Sequence, residues 1–359
     1  MKILINISAI SENHRGMGVF AKQIVKELLL NNSNEYLFVS GNNIDDEIYE
    51  IISLSRHKFI QFNSPLPIFE QVIIPLLIIK HKPDICWFPS NTFPLLKITK
   101  VKYIATICDL IFLKDEIKPT LVYQRIGKLY RAINIKYGIC NLDIITSISH
   151  TVINEIYELF KINKEVNVRQ VLYVAQEFKD IADPIILSKL ELVNKKYIYT
   201  IAGTAPHKNL IFLINSFLKL SKVNDKYTLV VSGAVNSEYS NKYPNILFTP
   251  FISEEEKTSL IENAELFVFP SLMEGFGIPL IEGLYYNPNI LVSDIEIFRE
   301  IGKDYVRYFD PYNENFLIEY LENKSRININ HQEAKEYVLN NFNSKKTAKK
   351  LEEVFNEFK

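Results

Sequence analysis

Short β-branched runs alternate with longer helical stretches along almost the whole chain, and few architectures accommodate that rhythm. Residues 2–8 read as a strand, 19–31 as a helix and 36–40 as a strand, and 85–88, 102–108 and 144–147 are further apolar runs of strand length. The second half repeats the pattern. Residues 197–202, 228–232, 246–248, 266–269 and 290–292 read as strands, with helices over 210–221, 254–263 and 279–286. Strands that alternate with helices pair in parallel and are flanked by those helices, so the chain is α/β. Residues 177–196 hold scattered charges, one proline and no clear strand, which places a break near 180–195. The expected organisation is two Rossmann-like domains, 1–182 and 183–340, facing across a cleft. A C-terminal helix over 341–359 is expected to pack back toward the first domain. Leu339, Phe342, Leu351, Val354 and Phe358 are the expected buried residues of the charged tail. A ligand belongs in the cleft, at the carboxyl ends of the strands.

Composition narrows the function. With 41 Lys and Arg against 42 Asp and Glu among 359 residues, the net charge of −1 argues against a nucleic-acid protein that binds through a basic surface. Cys86, Cys108 and Cys140 stand far apart with no metal-ligand spacing, which points to a reducing, cytoplasmic setting without disulfides. The N-terminus has too short an apolar run for a signal peptide. The longest uninterrupted apolar stretch, 72–79, falls far below the roughly 20 residues that span a bilayer. Residues 1–180 carry 21 bases and 18 acids (+3), and 181–359 carry 20 and 24 (−4). Within the first half, segment 117–142 contains Lys118, Arg125, Lys128, Arg131 and Lys136 and no acid. Tyr123, Ile126, Tyr130, Ile133 and Tyr137 recur in it at helical spacing. Such a helix either sits on anionic lipid headgroups, as a peripheral contact with the inner face of the cytoplasmic membrane, or presents a solvated face while packing on the first domain.

The sharpest local feature is the run FPSLMEGFGIPLIEG over 269–283. A strand enters a glycine-punctuated turn, and a helix then opens with Pro279 in its first turn. Gly275 and Gly277 let the backbone approach a ligand, and the free amides at the helix start face it. Glu274 and Glu282, seven residues between them, can both accept hydrogen bonds from polyol hydroxyls. A structural turn with two unrelated glutamates fits the same residues.

This stretch closely resembles the E-x7-E signature of retaining glycosyltransferases with the two-domain GT-B fold, in particular glycosyltransferase family 4. Flanking pieces follow in the family's order: YIYTIAGTAPHKNL, the stretch leading into the signature strand, and PNILVSDIEIFREI after it. In the first half HRGMGVFAKQIVKEL, TICDLIFL and ITSISHTVINEI are similar to the family's glycine loop, its Thr-Val-His-Asp segment and a serine-containing turn. The likeness is strong over 197–310, looser over 1–180, and closest to the branch that builds bacterial surface polysaccharides, lipopolysaccharide included, with mannose-like sugars. It implies that Glu274 contacts the donor sugar, Glu282 the ribose hydroxyls, and the amides around Phe276 and Gly277 the sugar and distal phosphate. It further implies that Lys208 pairs with the diphosphate, His207 stands beside it, and Gly16, with Gly18 in the same loop, approaches the diphosphate.

The glycines at 16 and 18 with Ala21 also match a dinucleotide fingerprint, but residues 9–15 separate them from the first strand and no acid follows Ser40-Gly41. Three departures from the family stand out. Cys108 precedes Asp109 where the family has a histidine that approaches the donor sugar near its O6, so the resemblance puts both residues on the sugar side, and a thiol does not replace an imidazole. His207 replaces an arginine, turning a permanent charge into a titratable one. The turn 203–208 is one residue short. The chain has no Asp-x-Asp, so the resemblance implies a metal-independent enzyme without a cofactor, in which Lys208 and helix amides meet the diphosphate. The expected activity is retaining transfer of a hexose or 6-deoxyhexose of mannose, rhamnose or fucose type. It runs from a nucleotide diphosphate sugar to a glycan or lipid-linked glycan hydroxyl. The competing reading is a catalytically impaired binding protein or partner subunit; an epimerase or phosphorylase of the same fold fits less well.

Overall fold

The computed structural model describes residues 1–359 apart from 12–15, 31–33, 99, 115–121, 161–167, 172, 174–177, 179–181, 204, 235–236, 250–251 and 323–329. The chain divides into two compact units, Met1–Gln176 with Asn341–Lys359, and Glu177–Asn340.

The first unit is built on β1 (Lys2–Asn6), β2 (Glu35–Ser40), β3 (Lys58–Gln61), β4 (Ile85–Phe88), β5 (Lys102–Ile107), β6 (Ile144–Ser147) and β7 (Val168–Val171). They form one parallel sheet in the order β3-β2-β1-β4-β5-β6-β7. Helices cover both faces of such a sheet, which is why the central β4, Ile-Cys-Trp-Phe, has no exposed residue. The helix Met17–Leu30 turns Phe20, Ala21, Ile24, Val25 and Leu28 inward, one face at helical spacing. Against it lies the last helix, Ser344–Asn356. Asn343 caps that helix by accepting the Lys346 N–H at 3.1 Å, and Ser344 Oγ donates to Glu27 at 2.7 Å. Its Leu351, Val354 and Phe355 are buried, and the Phe355 ring meets Trp87 edge-on at 6.3 Å.

The second unit contains β8 (Lys196–Ile201), β9 (Tyr227–Ser232), β10 (Ile246–Thr249), β11 (Leu266–Phe269), β12 (Ile290–Ser293) and β13 (Arg307–Phe309). These too are parallel, in the order β10-β9-β8-β11-β12-β13. Its core gathers Leu213, Ile214 and Phe217 of the helix Leu210–Val223 over Leu229, Val231 and Val268 of the sheet. In each unit the strand order reverses once, between β1 and β4 and between β8 and β11. Crossovers leave the sheet on opposite faces at that point and open a crevice at the carboxyl ends of the strands.

The tail differs from its expectation at two of its five residues: Leu339 is exposed and Phe358 only half-buried. Helix His331–Asn341 belongs largely to the second unit and buries Ala334 and Val338, whereas Leu339 is 49% exposed. One residue past Val338 is a rotation of about 100°, which carries Leu339 off the buried face. Phe342, Leu351 and Val354 are buried as expected. Among the described residues no helix is long and apolar enough to cross a membrane.

Candidate active site

At the reversal point of the second unit, the loops that follow two adjacent strands are tied together. After β8 the chain makes a tight turn over Pro206–Lys208. It passes Asn209 in the left-handed region (φ 55°), whose Nδ2 donates to the Pro311 carbonyl at 3.2 Å, and enters Leu210–Val223. After β11 it runs through Glu274 and Gly275 to Gly277, and the helix Ile278–Tyr286 begins with Pro279 in its first turn. Gly277 has φ 98°, a conformation that favours glycine, and a Cβ there would stand 3.0 Å from Phe298 Cε1 and press on that ring. The Leu272 N–H donates to the His207 carbonyl at 2.8 Å and locks the loops side by side.

That register brings Lys208 Nζ to 2.5 Å from Glu274 Oε1. The ammonium also lies 5.7 Å from the Phe269 ring centroid, so an apolar face backs it. The Lys208 side chain is 25% exposed and that of Glu274 11%, which makes the pair reachable yet poorly solvated. Beside them the His207 Nδ1 is buried without a hydrogen-bond partner. Burial, and after it the Lys208 charge, push the His207 pKa down against the pull of Glu274.

Glu282 is the predicted residue whose setting differs most from an open carboxylate. It lies on the helix Ile278–Tyr286, only 3% of its side chain is exposed, and Oε1 sits 2.7 Å from Lys257 Nζ. Lys257 reaches Glu254 as well, at 2.6 Å. Burial opposes the Lys257 charge, but Glu282 and Glu254 outweigh it and hold the pKa above its ordinary value. Sequence reasoning missed Lys257. The available signal was one lysine in the helix Glu254–Glu262, Glu-Glu-Glu-Lys-Thr-Ser-Leu-Ile-Glu, inside an otherwise acidic run.

The structure therefore gathers His207, Lys208, Glu274, Gly275, Phe276 and Gly277 in the two loops, with Glu282 on the helix they lead into. The other expected residues belong to the first unit. Gly16, φ 44°, precedes the helix Met17–Leu30, and a Cβ there meets nothing within 4 Å; Gly18 lies inside that helix and is buried. Cys108 is 2% exposed with Sγ 3.9 Å from the Thr106 carbonyl, and burial pushes its thiol pKa up. Its thiol thus faces the interior. Asp109 accepts the Ile111 N–H at 3.1 Å and the Asn91 amide at 3.3 Å, which shapes the turn after β5. In the short turn 203–208, Thr204 falls outside the described residues.

Residues 184–341 match the family model of Glycosyl transferases group 1. The match covers less than half of the 359 residues, and over that segment the chain is similar to group 1 glycosyltransferases. The matched segment holds the paired loops and all of β8–β13. Among curated proteins the chain is similar to the O-antigen chain mannosyltransferase RfbU of Salmonella typhimurium, 29% identical over 202 residues. The match spans 53% of this chain and 53% of that protein, so the chain covers about half the relative's length. Two solved structures are similar over nearly the full chain. A glycosyltransferase from Rickettsia africae matches with TM-score 0.68 and 15% identity over 99% of this chain and 98% of its own. Anabaena Alr3699/HepE, solved with UDP and glucose, matches with TM-score 0.69 and 13% identity over 99% of each. At such identities the likeness is one of fold, and the fold is GT-B.

Proposed function

We propose that the protein is a retaining, metal-independent glycosyltransferase. It moves a hexosyl or 6-deoxyhexosyl group of mannose, rhamnose or fucose type from a nucleotide diphosphate sugar to a glycan hydroxyl in surface polysaccharide synthesis, without a cofactor. The observation that carries this reading is the Lys208–Glu274 pair at the β8–β11 reversal point, beside the glycine-formed start of a helix. In the free protein each charge neutralises the other. When a diphosphate sugar enters, Lys208 turns to the phosphate oxygens, whose charge grows as the glycosidic bond breaks, and Glu274 takes up hydrogen bonds from sugar hydroxyls. A preorganised cation in a poorly solvated site lowers such a barrier by several kcal/mol, about the worth of one oxyanion-hole donor. The leaving phosphate itself takes the acceptor's proton, so no separate base is required. Glu282, steadied by Lys257, meets the ribose.

The interior-facing thiol of Cys108 supports a donor without a 6-hydroxyl, because no side chain at that position offers the hydroxyl a partner. Equal turnover of 6-hydroxy and 6-deoxy donors sinks that assignment. The helix Val122–Gly138, with Arg125, Lys128, Arg131 and Lys136 and no acid, supports peripheral contact with an anionic membrane on its cytoplasmic side.

The test of the main reading is the melting temperature of the protein with UDP, GDP, dTDP, CDP and ADP, without and with magnesium. One of them at about 100 times its dissociation constant stabilises by roughly 2.7 kcal/mol without metal. Lys208→Ala abolishes the shift and Glu274→Gln removes sugar transfer while retaining it. A protein that none of the five stabilises is not a glycosyltransferase of this kind.

A further inference from the structure

The second unit has a pocket of about 460 Å³ at the amino ends of its strands, the edge opposite Lys208 and Glu274. Lys196 and Tyr227 begin β8 and β9, Arg307 begins β13, and Glu265 and Asn289 immediately precede β11 and β12. The order β9-β8-β11-β12-β13 sets these five residues in one row along the edge. Tyr320, from the helix Phe316–Glu322, also lines the pocket. β8 and β11 start here and end in the loops that carry Lys208 and Glu274. β8, with its six residues, rises about 20 Å, so a small ligand in this pocket does not reach those loops.

The charges of the lining are unevenly matched. Lys196 Nζ lies 3.2 Å from Glu265 Oε1, in an ion pair whose side chains are 55% and 31% exposed. A pair so open to water adds little stability and re-forms around a ligand at small cost. Arg307 is the second cation, and it has no carboxylate partner among the described residues; its guanidinium lies 5.1 Å from the Tyr320 ring centroid. Helices that follow parallel strands end at this edge, and their terminal carbonyls attract cations for structural reasons alone. Yet Arg307 donates to no carbonyl among the described residues, so its N–H groups are not spent on a helix end. A ring-backed, half-buried guanidinium offers its planar fork to a carboxylate or a phosphate, two oxygens at a time. The Asn289 side-chain amide and the Tyr227 hydroxyl likewise have no partner among the described residues, and with Glu265 they supply both donors and acceptors. That mixture suits a polyol, and Lys196 and Arg307 against Glu265 leave one positive charge in excess for an anionic group on it.

We propose that this pocket is a separate carbohydrate site, for a sugar that carries one phosphate or carboxylate. Arg307 takes the anionic group across its fork with Lys196 beside it, and Glu265, Asn289 and Tyr227 take the hydroxyls. A free sugar phosphate and an acidic residue within a glycan both offer that chemistry. The site rests on the pocket alone and stands independently of the glycosyl transfer proposed above.

The test is calorimetric titration of the full chain with glucose 6-phosphate, with glucuronate and with a tetrasaccharide of alternating glucuronate and N-acetylglucosamine. Glucose and inorganic phosphate are titrated as the separate parts. At least one charged sugar binds roughly tenfold or more tighter than either part, as expected when one charge-assisted contact is added. Tightest binding of glucose 6-phosphate assigns the site to a free metabolite, and tightest binding of the tetrasaccharide assigns it to a glycan. Arg307→Gln weakens that ligand by roughly tenfold, equivalent to about 1.4 kcal/mol. Arg307→Lys, which keeps the charge and loses the fork, falls between the two. Should Arg307→Gln not fold, Arg307→Lys alone decides. Lys208→Ala binds the charged sugar as the parent does, which separates this pocket from the loops at the other end of the strands. Charged sugars binding no tighter than their parts, Arg307 variants binding like the parent, or loss of binding in Lys208→Ala overturns the site. Nucleoside diphosphate stabilisation measured on the same samples keeps the two proposals apart. If a charged sugar binds and no nucleoside diphosphate does, the pocket stands and the transfer reading falls; the reverse result removes the pocket and leaves the transfer reading intact.

Discussion

The two reversal points share one topology and differ in how they treat charge. At β8–β11 every charged side chain has an opposite neighbour: Lys208 with Glu274, and Lys257 with Glu282 and Glu254. At β1–β4 the carboxyl of Glu70 is held by hydroxyls instead of a cation, and Arg131 stands without a carboxylate among the described residues. The strand order therefore fixes where a ligand enters, while the loops fix what it must bring. A site with paired charges suits a ligand whose charge changes during reaction, because the pair can be redistributed. At β1–β4 the fully buried Glu70 instead holds Thr92 and Tyr130 in place.

The largest expected effect tests whether the pairs in the second unit are truly compensated. Lys257→Met takes the cation away from the buried Glu282 carboxylate, a change that costs about 3–5 kcal/mol of stability. Adding Glu282→Leu recovers most of the loss, since a buried pair replaced by apolar groups is close to neutral. Denaturant unfolding of the single and double variants measures both. A single variant within about 1 kcal/mol of the parent breaks the comparison. A double variant that is stable but no longer binds a nucleoside diphosphate sharpens it, by assigning Glu282 to the ligand.

The next effect concerns Glu70. Burial raises its pKa from 4.5 to about 7 against the lowering from Tyr130 and Thr92. The folded state then binds a proton that the unfolded state has released between those values. Glu70's contribution is present below pH 4.5 and is lost as pH rises through about 7. Glu70→Gln removes that dependence. Relative to the parent, the variant gains on the order of 3 kcal/mol between pH 4.5 and pH 8. Unfolding curves at the two pH values check it. An unchanged difference means that Glu70 titrates as an ordinary carboxylate.

What was legible in the sequence follows burial. The central strands, covered on both faces, announce themselves as apolar runs: β4 as Ile-Cys-Trp-Phe and β11 as Leu-Phe-Val-Phe. The strands that escaped are edges. β3, Lys-Phe-Ile-Gln, and β7, Val-Arg-Gln-Val, bound the first sheet, and β13, Arg-Tyr-Phe, bounds the second. Among the described residues one side of each pairs with nothing, so the composition that marks buried strands is diluted there. Among the site residues, Glu274, Gly275 and Gly277 were readable because a turn that favours glycine leaves its mark in the chain. Lys257 and Glu70 were not. Each acquires its role from partners 25 and 22 or more positions away, through contacts that only the closed fold creates. The basic helix was anticipated, yet Tyr130, expected on its apolar stripe, turns inward to Glu70, while Leu129 takes the outer position.

His207 gives the smallest effect and the finest test of the paired-charge site. Burial and the Lys208 charge hold its pKa below 6.5, so the folded protein keeps the ring neutral where the unfolded chain would protonate it. Stability from this residue is complete above pH 6.5 and declines as pH falls below it toward the lowered folded value. His207→Asn therefore flattens part of the acid-side slope in melting temperature between pH 5 and 7. His57, His81 and His331, whose pKa values are also lowered, leave the remainder. A bound diphosphate reverses the sign, because anionic oxygens beside Lys208 favour the protonated ring. Nucleoside diphosphate affinity should then rise as pH falls from 7 to 6 in the parent and stay flat in the variant. Parallel pH profiles for the two proteins mean that no phosphate comes near the ring, and the anion must be met by Lys208 and the helix amides alone.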